Sequence, residues 1–157
     1  MSRRAERERV FRLIFRADMF SPEEMEQQIR YFFESEEEDR FEKKLEEAGE
    51  DADPASISLP EEDPKIRERI SKKALDIVSH IEELDKALDE RISGWDTSRI
   101  GRVELTVLRL ALYEMRYEED VSDAIAINEA VELARKYGQD KSSEFVNGVL
   151  ARFAAED

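Results

Sequence analysis

The chain has 157 residues, no cysteine and a net charge of −15 at pH 7, and 41% of its residues are charged. That length suits one domain that buries about 70% of its unfolded surface. Leu, Ile, Val and Phe, about a quarter of the chain, exceed the level below which sequences stay disordered. The missing cysteines exclude disulfides and thiolate metal sites, and the acidic balance argues against a generic nucleic-acid binder.

The charge is unevenly spread. Residues 1–16 hold six arginines against two glutamates, residues 17–64 hold four basic against eighteen acidic residues, and the remainder is nearly balanced. A basic tip beside an acidic middle marks electrostatic contact with partners. The stretch from Val10 to Phe20 is broken by Arg12, Arg16 and Asp18. It is no signal-peptide core, and no segment approaches the length of a membrane span. A cytoplasmic protein is expected.

Every segment reads as helix. The first runs from Arg3 to Met19. Ser21-Pro22-Glu23-Glu24 opens the second with an N-cap, a proline at the first helical position and a capping box, and that helix reaches about Ala48. Residues 49–60 are poor in apolar side chains and read as an acidic, mobile linker. A third helix begins at Glu62-Asp63-Pro64, and a fourth ends at Ile92 with Gly94 suited to the C′ position. Asp96, Thr97 or Ser98 caps the next helix. Leu105–Arg116, Ser122–Lys136 and Lys141–Phe153 complete the chain. The prediction is an all-α, single-domain bundle of about seven helices in two packed subdomains.

The helix around Leu105–Arg116 is apolar nearly all round, which marks the buried spine of the fold. Glu104 and Glu114 fall inside its apolar arc. A buried carboxylate needs a partner or a functional reason. Glu114 is expected to pair with an arginine, and a partner-facing role stays open for Glu104.

Catalysis finds little support. The single histidine, His80, has apolar neighbours and reads as a packed or rim side chain. The five glycines form no phosphate-binding loop, and Glu36-Glu37-Glu38-Asp39 reads as a solvated acidic face. No cofactor, metal site or catalytic residue is expected. Asn147-Gly148 lies within a helical pattern, so Gly148 reads as a close-packing point and Asn147 as a polar group tied to a neighbouring loop.

The N-terminal arginines carry the best functional signal. Arg9, Arg12 and Arg16 share the face opposite the apolar stripe and read as its solvated side. Arg3, Arg4 and Arg7 instead fall in line with Val10, Phe11, Ile14 and Phe15 and extend that stripe past the core. Two readings stay open for them, a phosphate-contact site or a solvated helix end.

Four strings carry a resemblance: Trp95-Asp96-Thr97-Ser98-Arg99, Val107-Leu108-Arg109-Leu110-Ala111-Leu112-Tyr113-Glu114, the run Ala126–Gly138 that contains Ile127-Asn128-Glu129-Ala130-Val131-Glu132-Leu133-Ala134, and Glu144-Phe145-Val146-Asn147-Gly148-Val149-Leu150. With the pattern of the first helix, they resemble the NusB family of bacterial transcription antitermination factors. From residue 21 to 94 only the helical pattern agrees. The resemblance implies an adaptor that pairs with NusE, a small-subunit ribosomal protein, binds single-stranded boxA-type RNA in ribosomal transcripts and joins the RNA polymerase elongation complex. It implies RNA contact by Arg3, Arg4, Arg7, Phe15, Lys141 and Phe145, a mix of cations and rings typical of single-strand binding. For Phe145 a purely packing role stays open.

An acidic adaptor suits a basic ribosomal protein, and Glu82, Glu83 and Glu104 are the candidates for that face. Glu6 and Glu8 interrupt the basic run, and the acidic middle looks longer than the family has there. A protein-only scaffold or homodimer that has lost RNA binding is therefore the alternative. An accessory domain of a ribosomal RNA methyltransferase is disfavoured by the lack of any cofactor-binding sequence.

Overall fold

A computed structural model of the chain describes residues 1–92 and 97–154. Among the described residues there are seven α-helices and no strand: α1 Arg3–Ile14, α2 Pro22–Ala48, α3 Pro64–Ser79, α4 Ile81–Arg91, α5 Arg102–Tyr117, α6 Asp123–Tyr137 and α7 Ser142–Ala154. The all-α bundle read from the sequence is the observed fold. The expected stop at Gly94, the cap at Asp96, and Trp95 of the first motif lie outside the described residues. No described helix is long and apolar enough to cross a membrane.

The helix starts follow local chemistry. Ser2, Ser21 and Ser122 each accept the N–H three residues on, at 3.1, 3.4 and 3.2 Å. Asp63 accepts from Lys65 at 3.0 Å, and Pro22 and Pro64 open α2 and α3. Each such cap satisfies an amide that the helix itself leaves orphaned. α2 ends at Gly49, whose φ of 97° is open to glycine at no steric cost.

α1 is shorter than the apolar pattern predicts. It stops at Ile14, and Ala17–Met19 form a 3-10 turn. The reason is tertiary. The Phe15 carbonyl accepts Arg102 Nη2 at 2.7 Å, and Asp18 is drawn to the Arg109 guanidinium at 3.1 Å. Arg102 thus claims a carbonyl that would otherwise continue the helix, and Arg109 holds the side chain of the turn that follows. α5 in turn begins at Arg102, three residues before the predicted start.

α5 is the spine. Every residue from Leu105 to Glu114 is buried, and the helix touches α1, α3, α4, α6 and α7. α1, α2 and α3 pack on one another, and α6 and α7 pack on each other and on α5. Ala126, Ala130 and Ala134 make the inner face of α6 flat, so Val146, Val149, Leu150 and Phe153 of α7 close against it. α2 is 27 residues long, about 40 Å at 1.5 Å per residue. Its buried residues, Met25 to Glu36, all lie in the first two-thirds. Beyond them Phe41 and Leu45 are half-buried, and Lys44 holds the Ser58 carbonyl at 2.9 Å.

Candidate nucleic-acid interface

The arginines of α1 divide into two sets. Arg7 and Arg9 are buried, 7% and 6% exposed. Arg7 Nε donates to both oxygens of Glu114 at 2.9 and 3.0 Å, and Lys73 reaches the same carboxylate at 2.9 Å. The expected partner of Glu114 is therefore Arg7, a residue also put forward for RNA contact. Its guanidinium lies under α1, bonded within the core. Arg9 corrects the reading of a solvated face. It sits between Glu36 at 2.7 Å and Glu62 at 2.8 Å, which ties α1 to α2 and to the segment before α3. Glu36 is only 8% exposed, so it too leaves the predicted solvated acidic face. Hydrogen bonds from Arg9, aided by Arg67, hold the Glu62 carboxyl below the usual carboxylate range.

Arg3 and Arg4 are exposed. Arg3 approaches Asp120 at 3.7 Å, with both side chains largely in solvent. Arg4 makes a two-pronged contact with Glu129 of α6, Nη2 at 2.9 Å and Nε at 3.0 Å, which raises the pKa of its guanidinium. Farther along α1, Glu8 accepts from Lys136 at 2.5 Å and from the Tyr137 hydroxyl. Partial burial opposes ionisation of Glu8, but these bonds bring its pKa below the ordinary value. Desolvation and the neighbouring Glu8 push the Tyr137 hydroxyl up to about 12, so it stays a donor. Arg4, Glu8 and Arg12, four residues apart on α1, form one drifting row about 12 Å long, and Arg16 follows in the turn after the helix.

Rings collect beside the far end of this row. Phe15 is half-buried, and the Arg102 guanidinium lies 4.3 Å from its centroid. Phe11 packs between Phe15 and Tyr137, at 6.2 and 4.9 Å. Arg12 and Arg16 both lie over Phe32 of α2, at 5.3 and 5.7 Å. Phe11, Arg12, Phe15, Arg16, Phe32, Val103 and Tyr137 enclose a groove of ≈ 310 Å³. The sequence pointed only to Phe15. Phe11, Arg12 and Arg16 were legible as a second spacing, since Phe11 and Phe15, like Arg12 and Arg16, stand four apart in the first predicted helix, whereas Phe32, Val103 and Tyr137 were not.

The α6–α7 connection lies next to the start of α5. Gly138 is needed there, because a Cβ would meet the Ala134 carbonyl at 2.6 Å and the Ser142 side chain at 2.7 Å. The Ser142 hydroxyl donates to Glu104 and accepts from the Gln139 N–H at 2.9 Å. Glu104, left open between core and partner roles, is thus half-buried and ties α5 to α7. Lys141 is exposed with φ of 72°, a left-handed backbone costly for a lysine. Phe145 is half-buried against the core. Gly148 corrects the close-packing reading, since a Cβ there meets nothing within 4 Å, and Asn147 beside it is exposed.

The acidic candidates do not converge. Glu82 is exposed on α4, and Glu83 accepts from the Tyr117 hydroxyl at 2.6 Å near the C-terminal end of α5. Glu104 lies in the first turn at the opposite end, about 20 Å away along the helix. His80 stacks on Tyr117 at 4.7 Å, half-buried between α3 and α4, as a rim histidine should be. Buried Arg109 holds Asp85 at 2.7 Å. Burial opposes its charge, and the two aspartates it binds outweigh that and keep it ionised.

The family model described as the NusB family matches residues 4–155. The chain is 37% identical to a transcription antitermination protein NusB of Agathobacter rectalis, over 98% of this chain and 100% of that one. It is 38% identical to the protein of the same name in Lachnoclostridium phytofermentans, over 97% and 98%. Among solved structures it resembles T. maritima NusB, with a TM-score of 0.74, 28% identity and coverage of 99% and 92%. It also resembles a chain in a structure described as a plectonemic RNA supercoil, with a TM-score of 0.69, 26% identity and coverage of 98% and 94%. With a family model spanning nearly its whole length and relatives above 30% identity end to end, the chain belongs to the NusB family.

Proposed function

We propose that the chain is an RNA-binding transcription antitermination adaptor that takes single-stranded boxA-type RNA on the outer face of α1. The observation that carries this is the run of arginines along α1 and the turn after it, exposed Arg3, Arg4 and Arg12 and half-buried Arg16, beside the ring of Phe15. Cations supply the salt-dependent attraction for phosphates, and rings supply stacking. Arg7 acts from beneath, by holding Glu114 and approaching Glu129 at 3.7 Å. Lys141, exposed at the start of α7, adds a phosphate contact, and Phe145 supports that end of the surface. Glu129 and Asp120 partly neutralise the tip, so RNA phosphates compete with carboxylates already in place.

NusE, a basic ribosomal protein, is the proposed partner, with exposed Glu82 among its candidate contacts. The pair would join the RNA polymerase elongation complex. The direct test is fluorescence anisotropy of a labelled boxA-like single strand, with and without the NusE-type protein. Binding that is strengthened by the partner supports the adaptor. Absence of binding in both cases, at low salt, would leave a protein-only module.

A further inference from the structure

The groove at the far end of α1 has a shape and lining that a chain of phosphate contacts alone does not need. Its lining is largely apolar, from Phe11, Phe15, Phe32, Val103 and Tyr137. Its volume, ≈ 310 Å³, sits at the bottom of the range for small-molecule pockets and suits a single flat ring system. Its rim is cationic in a chain of net charge −15. Its two cations are Arg12 and Arg16; Arg16 meets no carboxylate at ion-pair distance among the described residues and lies over the Phe32 ring.

We infer that this groove is a socket for one unstacked nucleobase of a single-stranded RNA, with Arg12 and Arg16 on its flanking phosphates. The inference rests on the RNA-binding reading above and assigns it a defined subsite. Every base presents a π-face, so a ring-lined slot accepts it whatever its sequence. Arginine also favours a base over an aliphatic side chain, because guanidinium groups stack on planar rings and hold phosphate oxygens with the same donors. The groove is continuous with the α1 row, because Arg12 belongs to both and Arg16 follows it. Tyr137 lines the groove, and Glu8 bonded to its hydroxyl fixes the ring. A base entering between Tyr137 and Phe15 displaces no ion pair except the loose Arg12–Glu36 contact of 3.7 Å.

The test is an abasic scan on the intact chain, with its ribosomal partner present. Short single-stranded RNAs carry one abasic site at successive positions. One position is expected to bind about tenfold more weakly when its base is missing, within the range that stacking on an aromatic supplies. 2-Aminopurine at that position is expected to change its fluorescence on binding. In Arg16→Gln and in Tyr137→Leu the intact RNA weakens by a similar factor and the abasic penalty at that position disappears. Arg16 is a partly exposed side chain, so Arg16→Gln keeps the test valid if Tyr137→Leu folds poorly.

RNA that binds with no position-specific penalty, or a penalty unchanged in both variants, overturns the socket and leaves the RNA-binding reading intact. Failure of the wild-type chain to bind any RNA overturns both. Loss of partner-protein binding in Arg16→Gln, with RNA binding unchanged, would show that the groove seats protein instead.

Discussion

Where α1 meets α2, α3 and α5, buried arginines face buried glutamates, whereas α6 and α7 close on α5 through alanines and branched apolar side chains. The apolar side depends on volume and tolerates many sequences of the right size. The charged side depends on partners. Each buried ion has lost its water, so removing one partner costs far more than the pair contributes. The two sides should therefore respond differently to substitution, acid and salt.

The largest effect is expected at Glu114. Replacing it with alanine leaves Arg7 and Lys73 without their shared carboxylate, and should cost about 3–5 kcal/mol in denaturant unfolding. Arg7→Met combined with Glu114→Leu should restore most of that loss, because a well-packed apolar pair is often as stable as the ion pair it replaces. On the apolar side, Leu150→Ala should cost about 2–5 kcal/mol from lost burial and the cavity left behind. No charge compensation should rescue it.

Acid separates the sides further. The Glu62 pKa is lowered in the fold by Arg9 and Arg67. A depressed carboxylate contributes stability above its unfolded pKa and loses it as pH falls through the folded value. The melting temperature of the wild type should thus fall as pH drops below the ordinary carboxylate range, and Glu62→Gln should flatten part of that slope. An identical slope in the variant would remove Glu62 from the latch.

The smallest effect is expected at Gly148. Nothing surrounds it, so Gly148→Ala should stabilise α7 by about 1 kcal/mol through helix propensity alone. A loss of stability would mean that the close-packing reading of this glycine was correct.

The same contrast explains what could be read from the sequence. α5 announced its burial through an apolar circumference, and α6 and α7 through their motif strings. Proline, serine and aspartate marked the starts of α2 and α3, because capping is local chemistry. The arginines of α1 were harder. Arg9 stands opposite the apolar stripe, and the stripe rule calls that face solvated. In the fold α1 is covered on that side as well, by α2 and the segment before α3. Glu36 carried a signal that was missed, since it continues the spacing Ile29, Phe32 and Phe33 along the inner face of α2. Arg7 and Glu114 were each singled out as out of place, and only the tertiary fold brings them together. The groove behind Phe15 joins residues from α1, α2, α5 and α6, and no linear pattern spans those.

On the proposed function, the arginines of α1 divide into buried latches and exposed RNA contacts. Arg3 and Arg4 replaced together by alanine test it most directly, through the salt dependence of boxA-like RNA binding beside thermal unfolding. Weaker binding is expected, with a log–log salt slope shallower by about 1.4 from two lost contacts at about 0.7 each and an unchanged melting temperature. An unchanged affinity and slope would place the RNA elsewhere on the molecule and contradict the account.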